Sequence, residues 1–145
     1  METISGISAK HLHHIRVFHG IIACMRLIGN IIWLIFGGFF GAVGWVLAGI
    51  LVSVTIIGIP FGMQCFKIAG FVLWPFGKEI LLGDFGVGSV IGNVLWIVLL
   101  GWELALFHAG VALFFFVSII GIPFAFQHLK LAQLAFVPFG SRIVR

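Results

Sequence analysis

The sequence predicts an all-α integral membrane protein made of two tandem sequence repeats, each a transmembrane helical hairpin whose second helix is broken at Gly-Ile-Pro. Three observations carry that reading. Of 145 residues, 62% are hydrophobic and only 8% are charged, whereas about a quarter carry charge in an ordinary soluble domain. No Lys, Arg, Asp or Glu stands between Arg26 and Lys67, a gap well beyond the ~20 apolar residues that span a bilayer. Finally, a shift of 63 residues lays positions 29–80 on 92–143 without a gap, with 19 identities in 52 positions. The same composition excludes a disordered chain and a free-standing nucleic-acid binder, despite a net charge of +4.

The identities fall into motifs. Gly-Asn-x-x-Trp holds Asn30 and Trp33 in the first repeat and Asn93 and Trp96 in the second. Ile-Ile-Gly-Ile-Pro-Phe follows with Gly58 and Pro60, then Gly121 and Pro123. Gln-x-x-Lys gives Gln64 and Lys67, then Gln127 and Lys130, and Pro-Phe-Gly begins at Pro75 and Pro138. Chance apolar similarity would not keep a Gln and a Lys in register, so the repeat is a structural unit. The chain divides into a polar, His-rich arm (1–25), repeat 1 (26–80), a glycine-rich joint containing Asp84 (81–88) and repeat 2 (89–145).

Within a repeat, length argues for two helices. The predicted first helix covers 26–40, the glycine-rich 41–44 makes the turn, and the second helix covers 45–74; in repeat 2 the helices are 89–101 and 104–137. This arrangement places both termini, the Asp84 joint and all eight basic residues on one side, taken as the cytoplasm by the positive-inside rule. The rival arrangement, one crossing followed by an interfacial helix, leaves six basic residues inside and two outside and makes the repeats inverted.

The candidate functional positions are the polar groups inside the apolar stretches. Pro60 and Pro123 lack an N–H, and inside a helix they would free the carbonyls of Ile56 and Ile119, with Thr55, Ser118, Gln64 and Gln127 as the nearest donors. Such breaks at Gly58 and Pro60 and at Gly121 and Pro123 are either kinks satisfied by neighbours or, as in secondary transporters, markers of a pathway. Gln64 and Lys67, like Gln127 and Lys130, share a helical face. An ammonium within a membrane segment costs ~2.5 kcal/mol or more at the centre, so each Lys should snorkel, pair, or contact an anion or lipid headgroup. Asn30 and Asn93 are further polar helix positions. Glu103 and His108 stand where repeat 1 has Phe40 and Trp45, and are read as a solvated loop near the outer turn.

Nothing in the sequence requires a metal or cofactor. His11, His13, His14 and His19 have no carboxylate or thiolate in register, and Cys24 and Cys65 lack a disulfide or zinc spacing. No nucleophile elbow, phosphate loop or zincin motif occurs, so no enzyme is expected. Glycines in small-xxx-small spacing, Gly37/Gly41, Gly58/Gly62 and Gly88/Gly92, argue for close helix contacts and a homo-oligomer.

The duplicated Gly-Asn-x-x-Trp, Ile-Gly-Ile-Pro-Phe, Gln-x-x-Lys and Pro-Phe-Gly resemble the YccF-like inner membrane component domain family of small bacterial membrane proteins, over about residues 26–145. The resemblance implies a multi-pass inner-membrane protein and brings no catalytic residues. His128 opposite Cys65, and Val137 opposite Trp74, show where the repeats depart from each other. Two functions are compatible with these readings. One is an oligomeric structural or accessory subunit in the lipid bilayer, within a larger membrane complex. The other is a small oligomeric channel or transporter whose pathway the broken helices line.

Overall fold

A computed structural model describes residues 9–83 and 85–145, with side chains from Leu12 onward. The side chains of Lys10 and His11, and Asp84 of the joint, lie outside the described residues. Among the described residues six α-helices and one short strand pair make up the fold: α1 (Ala9–Trp33), α2 (Phe39–Val52), α3 (Ile59–Leu73), β1 (Glu79–Leu81), α4 (Val87–Trp96), α5 (Trp102–Phe116), α6 (Ile122–Phe136) and β2 (Arg142–Val144). At Leu34–Gly38 a kink separates α1 from α2, with Gly37 at φ 146°, while a π-helical turn joins α4 to α5 at Ile97–Gly101. Among the described residues three helical stretches are long and apolar enough to cross a membrane: Leu12–Val52, Val87–Phe116 and Ile119–Phe136.

In the structure each repeat packs two helices together, α2 on α3 and α5 on α6, and its turn lies elsewhere than expected. The chain stays helical through 41–44 and reverses only between Val52 and Ile59. Gly49 faces the Phe66 ring near that reversal and Gly41 faces Val72 farther along, so α3 runs back antiparallel to α2. Gly-Ile-Pro is therefore not a break within a helix. Gly58 and Gly121 are N-caps, and Pro60 and Pro123 sit in the first turn of α3 and α6, where the missing N–H would have had no intrahelical partner anyway. The carbonyls of Ile56 and Ile119 accept from the N–H groups of Ile59 and Ile122. Thr55 and Ser118 act as acceptors: their hydroxyls take the Gly58 and Gly121 N–H groups at 3.0 and 2.9 Å.

The reversal loops are themselves apolar. Val54, Ile56 and Ile57, and Val117, Ile119 and Ile120, are each more than three-quarters exposed. Hydroxyl and backbone acceptors inside the turn take the N–H groups of Val54, Gly58 and Ile59 in the first repeat and of Ser118 and Gly121 in the second. The helical architecture has one addition that the sequence reading lacked, the antiparallel pair of β1 and β2, in which Ile80 lies opposite Ile143. These are equivalent positions of the two repeats, so a pseudo-two-fold axis passes between them.

Other contacts obey the same exchange. Trp33 stacks on Phe124 and Trp96 on Phe61, both with centroids 6.3 Å apart. Phe76 meets Phe124 edge-on, and Phe139 meets Phe61 likewise. The start of each second helix thus packs beside the base of the opposite repeat, around a core of Trp33, Ile68, Phe71, Trp96, Leu131 and Leu134.

Close approach explains the glycines retained in both repeats. A Cβ on Gly38 or Gly101 would collide with the indole of Trp33 or Trp96, five residues earlier, and one on Gly58 or Gly121 would strike the carbonyl of Val52 or Phe115. Gly77 and Gly140 have φ of 90° and 79°, a conformation that disfavours any side chain. Gly38→Ala is expected to cost about 1–3 kcal/mol through displacement of the Trp33 ring. By contrast Gly44, with nothing within 4 Å of an added Cβ, should tolerate Ala within about 0.5 kcal/mol. Thermal unfolding of the two variants in detergent checks the contrast.

Candidate functional site

The polar motif residues converge on one stretch of backbone in each repeat, from the end of the second helix through Pro-Phe-Gly. Asn30 spans Phe76, donating from Nδ2 to its carbonyl and accepting its N–H at Oδ1, both at 3.0 Å. Asn93 does the same to Phe139 at 2.9 Å. The indole N–H groups of Trp33 and Trp96 donate to the carbonyls of Val72 and Ala135, each at 2.7 Å. Those carbonyls belong to the last turns of α3 and α6, where a helix leaves its acceptors unpaired. The Pro-Phe-Gly backbone is thus held by side chains one helix away, and Asn30 and Asn93 are buried clamps.

Lys67 and Lys130 tie the repeats together. The Lys67 ammonium donates to the carbonyls of Pro138 and Ser141, the latter at 3.2 Å. Lys130 donates to the carbonyl of Lys78, the repeat-1 equivalent of Ser141, at 3.0 Å and pairs with Glu79 at 2.8 Å. Both lysines therefore satisfy backbone acceptors of the opposite repeat. Gln64 and Gln127 lie one turn earlier on the same helices. Their Oε1 atoms are buried without a partner among the described residues, while Gln127 Nε2 reaches the Pro123 carbonyl at 3.4 Å.

Cations gather near the strand pair. Arg26, Lys78 and Arg145 border a hollow of about 330 Å³ whose wall includes Trp74 and, among the described residues, no Asp or Glu side chain. The Arg26 stem lies over Gly77, and Lys78 Nζ donates to the Gly70 carbonyl at 2.7 Å. Burial, and then the positive charge of Arg145, hold the Lys78 ammonium below the usual lysine range. From Ala9 onward the His-rich arm is part of α1, where His19 Nδ1 lies 2.8 Å from the Ile15 carbonyl.

Two residues read as a solvated loop stand apart from each other. Glu103 is exposed on the first turn of α5, but His108 is buried on that helix, its Nδ1 3.2 Å from Nδ1 of His128 on α6. The reversal lies after Phe116 and not beside Glu103, so position 108 faces inward. The pair borders a hollow of about 330 Å³ walled by Trp33, Phe36, Gly37, Phe107, Phe115 and Phe124, among others. Sequence reasoning missed this pairing. Its trace was that two departures between the repeats, Trp45 to His108 and Cys65 to His128, both introduce an imidazole.

Duplicated apolar helices, cross-tied at their bases by buried polar side chains, define an integral multi-pass membrane protein. The inner membrane component domain model named YccF matches the chain twice, over residues 28–78 and 91–141. The inner membrane protein YccF of Escherichia coli (strain K12) is 32% identical over 130 residues, covering 83% of this chain and 88% of that protein. The inner membrane protein YccF of Shigella flexneri matches to the same extent. No solved structure matches. The chain belongs to the YccF inner membrane component family, and its place is the inner membrane.

Removing a cross-repeat tie should be costly in proportion to what it leaves unpaired. Lys67→Met strands two carbonyls and should lower stability by about 1–3 kcal/mol. Glu79→Gln weakens an ion pair whose carboxylate is 66% exposed and should cost less than about 1 kcal/mol. Denaturation in mixed micelles, followed by tryptophan emission, ranks the two.

Proposed function

We propose that the protein is a non-catalytic, oligomeric structural or accessory component of the inner membrane. The observation behind this reading is the use made of Lys67 and Lys130, whose ammonium groups are taken up by backbone carbonyls across the repeat boundary. A charge held this way stabilises an assembly and is poorly placed to pass an ion along. Its outer surface, with Phe36, Phe40, Leu51, Leu113 and Phe114 at least 70% exposed, suits contact with lipid, with further copies of the chain, or with a larger membrane complex. A channel or transporter remains the second reading, favoured by the two unpartnered Gln Oε1 atoms, one per repeat. Lys67→Gln combined with Lys130→Gln separates them. The structural reading expects weakened assembly by native mass spectrometry and unchanged ion flux in proteoliposomes; altered flux with intact assembly would favour the channel.

In this reading each repeat is a membrane hairpin and the strand pair faces the cytoplasm. Charge supports the orientation: Arg26, Lys67, Lys78, Lys130, Arg142 and Arg145 all lie on or next to the strands and their flanking segments. This reading places both termini in the cytoplasm; the packing of Trp33 on Phe124 and of Phe61 on Trp96, which sets the end of α3 beside the start of α6 and the reverse, runs those two helices antiparallel and favours the inverted alternative. A topology reporter fused after Asp84 should read cytoplasmic; a periplasmic signal would make the repeats inverted and bring the transporter reading forward.

Arg26, Lys78 and Arg145 then meet the anionic headgroups of the cytoplasmic leaflet, each basic side chain near such a surface contributing ~1 kcal/mol. Arg26→Gln with Lys78→Gln should reduce retention of phosphatidylglycerol over phosphatidylcholine in native mass spectra about tenfold. An unchanged preference would remove the hollow from consideration.

A further inference from the structure

The two halves of the molecule are alike in their ties and unlike in their cavities. The hollow beside His108 and His128 has a pseudo-symmetric counterpart of about 380 Å³, walled by Gly44, Trp45, Ala48, Val52, Cys65, Trp96 and others. There Trp45 and Cys65 occupy the places of the two histidines. The Asn clamps, the Trp bonds and the lysine-to-carbonyl ties are kept in both repeats, whereas the polar equipment of this cavity exists in one only. Intramembrane ionisable groups are expensive and mark function unless a structural use accounts for them. These two imidazoles bond only to each other.

Their chemistry is specific. In an Nδ1···Nδ1 hydrogen bond one neutral ring donates and the other accepts. The donor ring therefore presents a bare Nε2 lone pair, and the acceptor ring presents an Nε2–H. Neither Nε2 has a partner among the described residues, and neither is sealed off as the glutamine oxygens are. Around them the wall is aromatic: Phe115 stacks on His128 with centroids 5.5 Å apart, and Trp33 lies 5.0 Å from the same ring. Phe36 and Phe107 on the wall are 85% and 63% exposed, so the cavity opens toward hydrocarbon. Gly37, with no neighbour within 4 Å of an added Cβ, leaves a flat approach. The volume is at the small end for ligand pockets, which run from ~300 Å³ upward, and fits one planar ring system.

We propose that this cavity binds the ring of a membrane-soluble quinone or quinol. A quinone carbonyl accepts from the free Nε2–H, and a quinol hydroxyl donates to the free Nε2 lone pair, with the ring against Trp33, Phe115 and Phe124. The aromatic wall supplies stacking, the imidazole pair supplies orientation, and the open side supplies entry from the bilayer. Two nitrogens alone make a poor metal site, since among the described residues no three His, Cys, Asp or Glu side chains converge.

The test uses the full chain in lipid nanodiscs with a photoreactive azido-quinone, competed by decylubiquinone and by menadione, and the crosslinks mapped by mass spectrometry. Competed labelling of the wild-type protein should fall on segments 33–41 and 107–128. His128→Cys, which installs the repeat-1 residue, and His108→Phe should each reduce it at least tenfold, while Cys65→Ser leaves it unchanged. Uncompeted labelling, equal labelling of the Cys65 cavity, or full labelling in both histidine variants would overturn the proposal. So would zinc binding that both histidine variants abolish in a protein showing no competed labelling. The wild-type map decides the matter even where a variant fails to fold.

Discussion

The fold rests on the need to satisfy backbone polar groups in surroundings without water. Each second helix ends inside the protein, and its continuation through Pro-Phe-Gly is not helical. A stranded amide in an apolar medium costs several kcal/mol, so that segment survives only where side chains take over its hydrogen bonding. Asn30 and Asn93 hold both groups of a Phe, Trp33 and Trp96 hold a helix-terminal carbonyl, and Lys67 and Lys130 hold carbonyls from the opposite half. The Asn, the Trp and the Lys are among the few polar residues identical between the repeats. Their retention follows from this shared obligation.

The cross-ties also explain why two repeats make one body. Each half supplies the ammonium that the other half's backbone requires, and the strand pair closes the joint at Ile80 and Ile143. The base of each repeat has a carbonyl taken by a lysine of the other, Pro138 and Ser141 by Lys67 and Lys78 by Lys130. A duplicated unit bound in this way can change freely only where no tie depends on the residue. Positions 45/108 and 65/128 are such places, which is why the two cavities have diverged in chemistry while the bases have not.

Where expectation and structure differ, the cause is local. The run at 41–44 looked like a turn because glycine weakens helices in water, but within apolar packing Gly41 and Gly49 allow close approach of α3 and the helix continues. Pro60 and Pro123 looked like interior breaks because the apolar run carries on past them. The reversal just before each proline turns an expensive interior position into a favourable first turn. The inward position of His108 has the same cause, since its face depends on where the helix reverses. Asn30, Asn93, Lys67 and Lys130 were recognised as polar groups needing partners, but their partners lie 46 to 74 residues away, beyond any local pattern.

Composition and the uncharged run were sufficient to establish a membrane protein, and the 63-residue register was sufficient to establish its duplication. Both are properties of a one-dimensional string, because bilayer solvation acts on segment hydrophobicity and duplication preserves order. The position of each reversal, the strand pair, the cross-repeat lysine ties and the imidazole pair were decided only in three dimensions. Each depends on which distant backbone or side-chain group stands within about 3 Å of a donor, the range of a hydrogen bond. That proximity is created by packing and carried by no neighbouring residue in the chain.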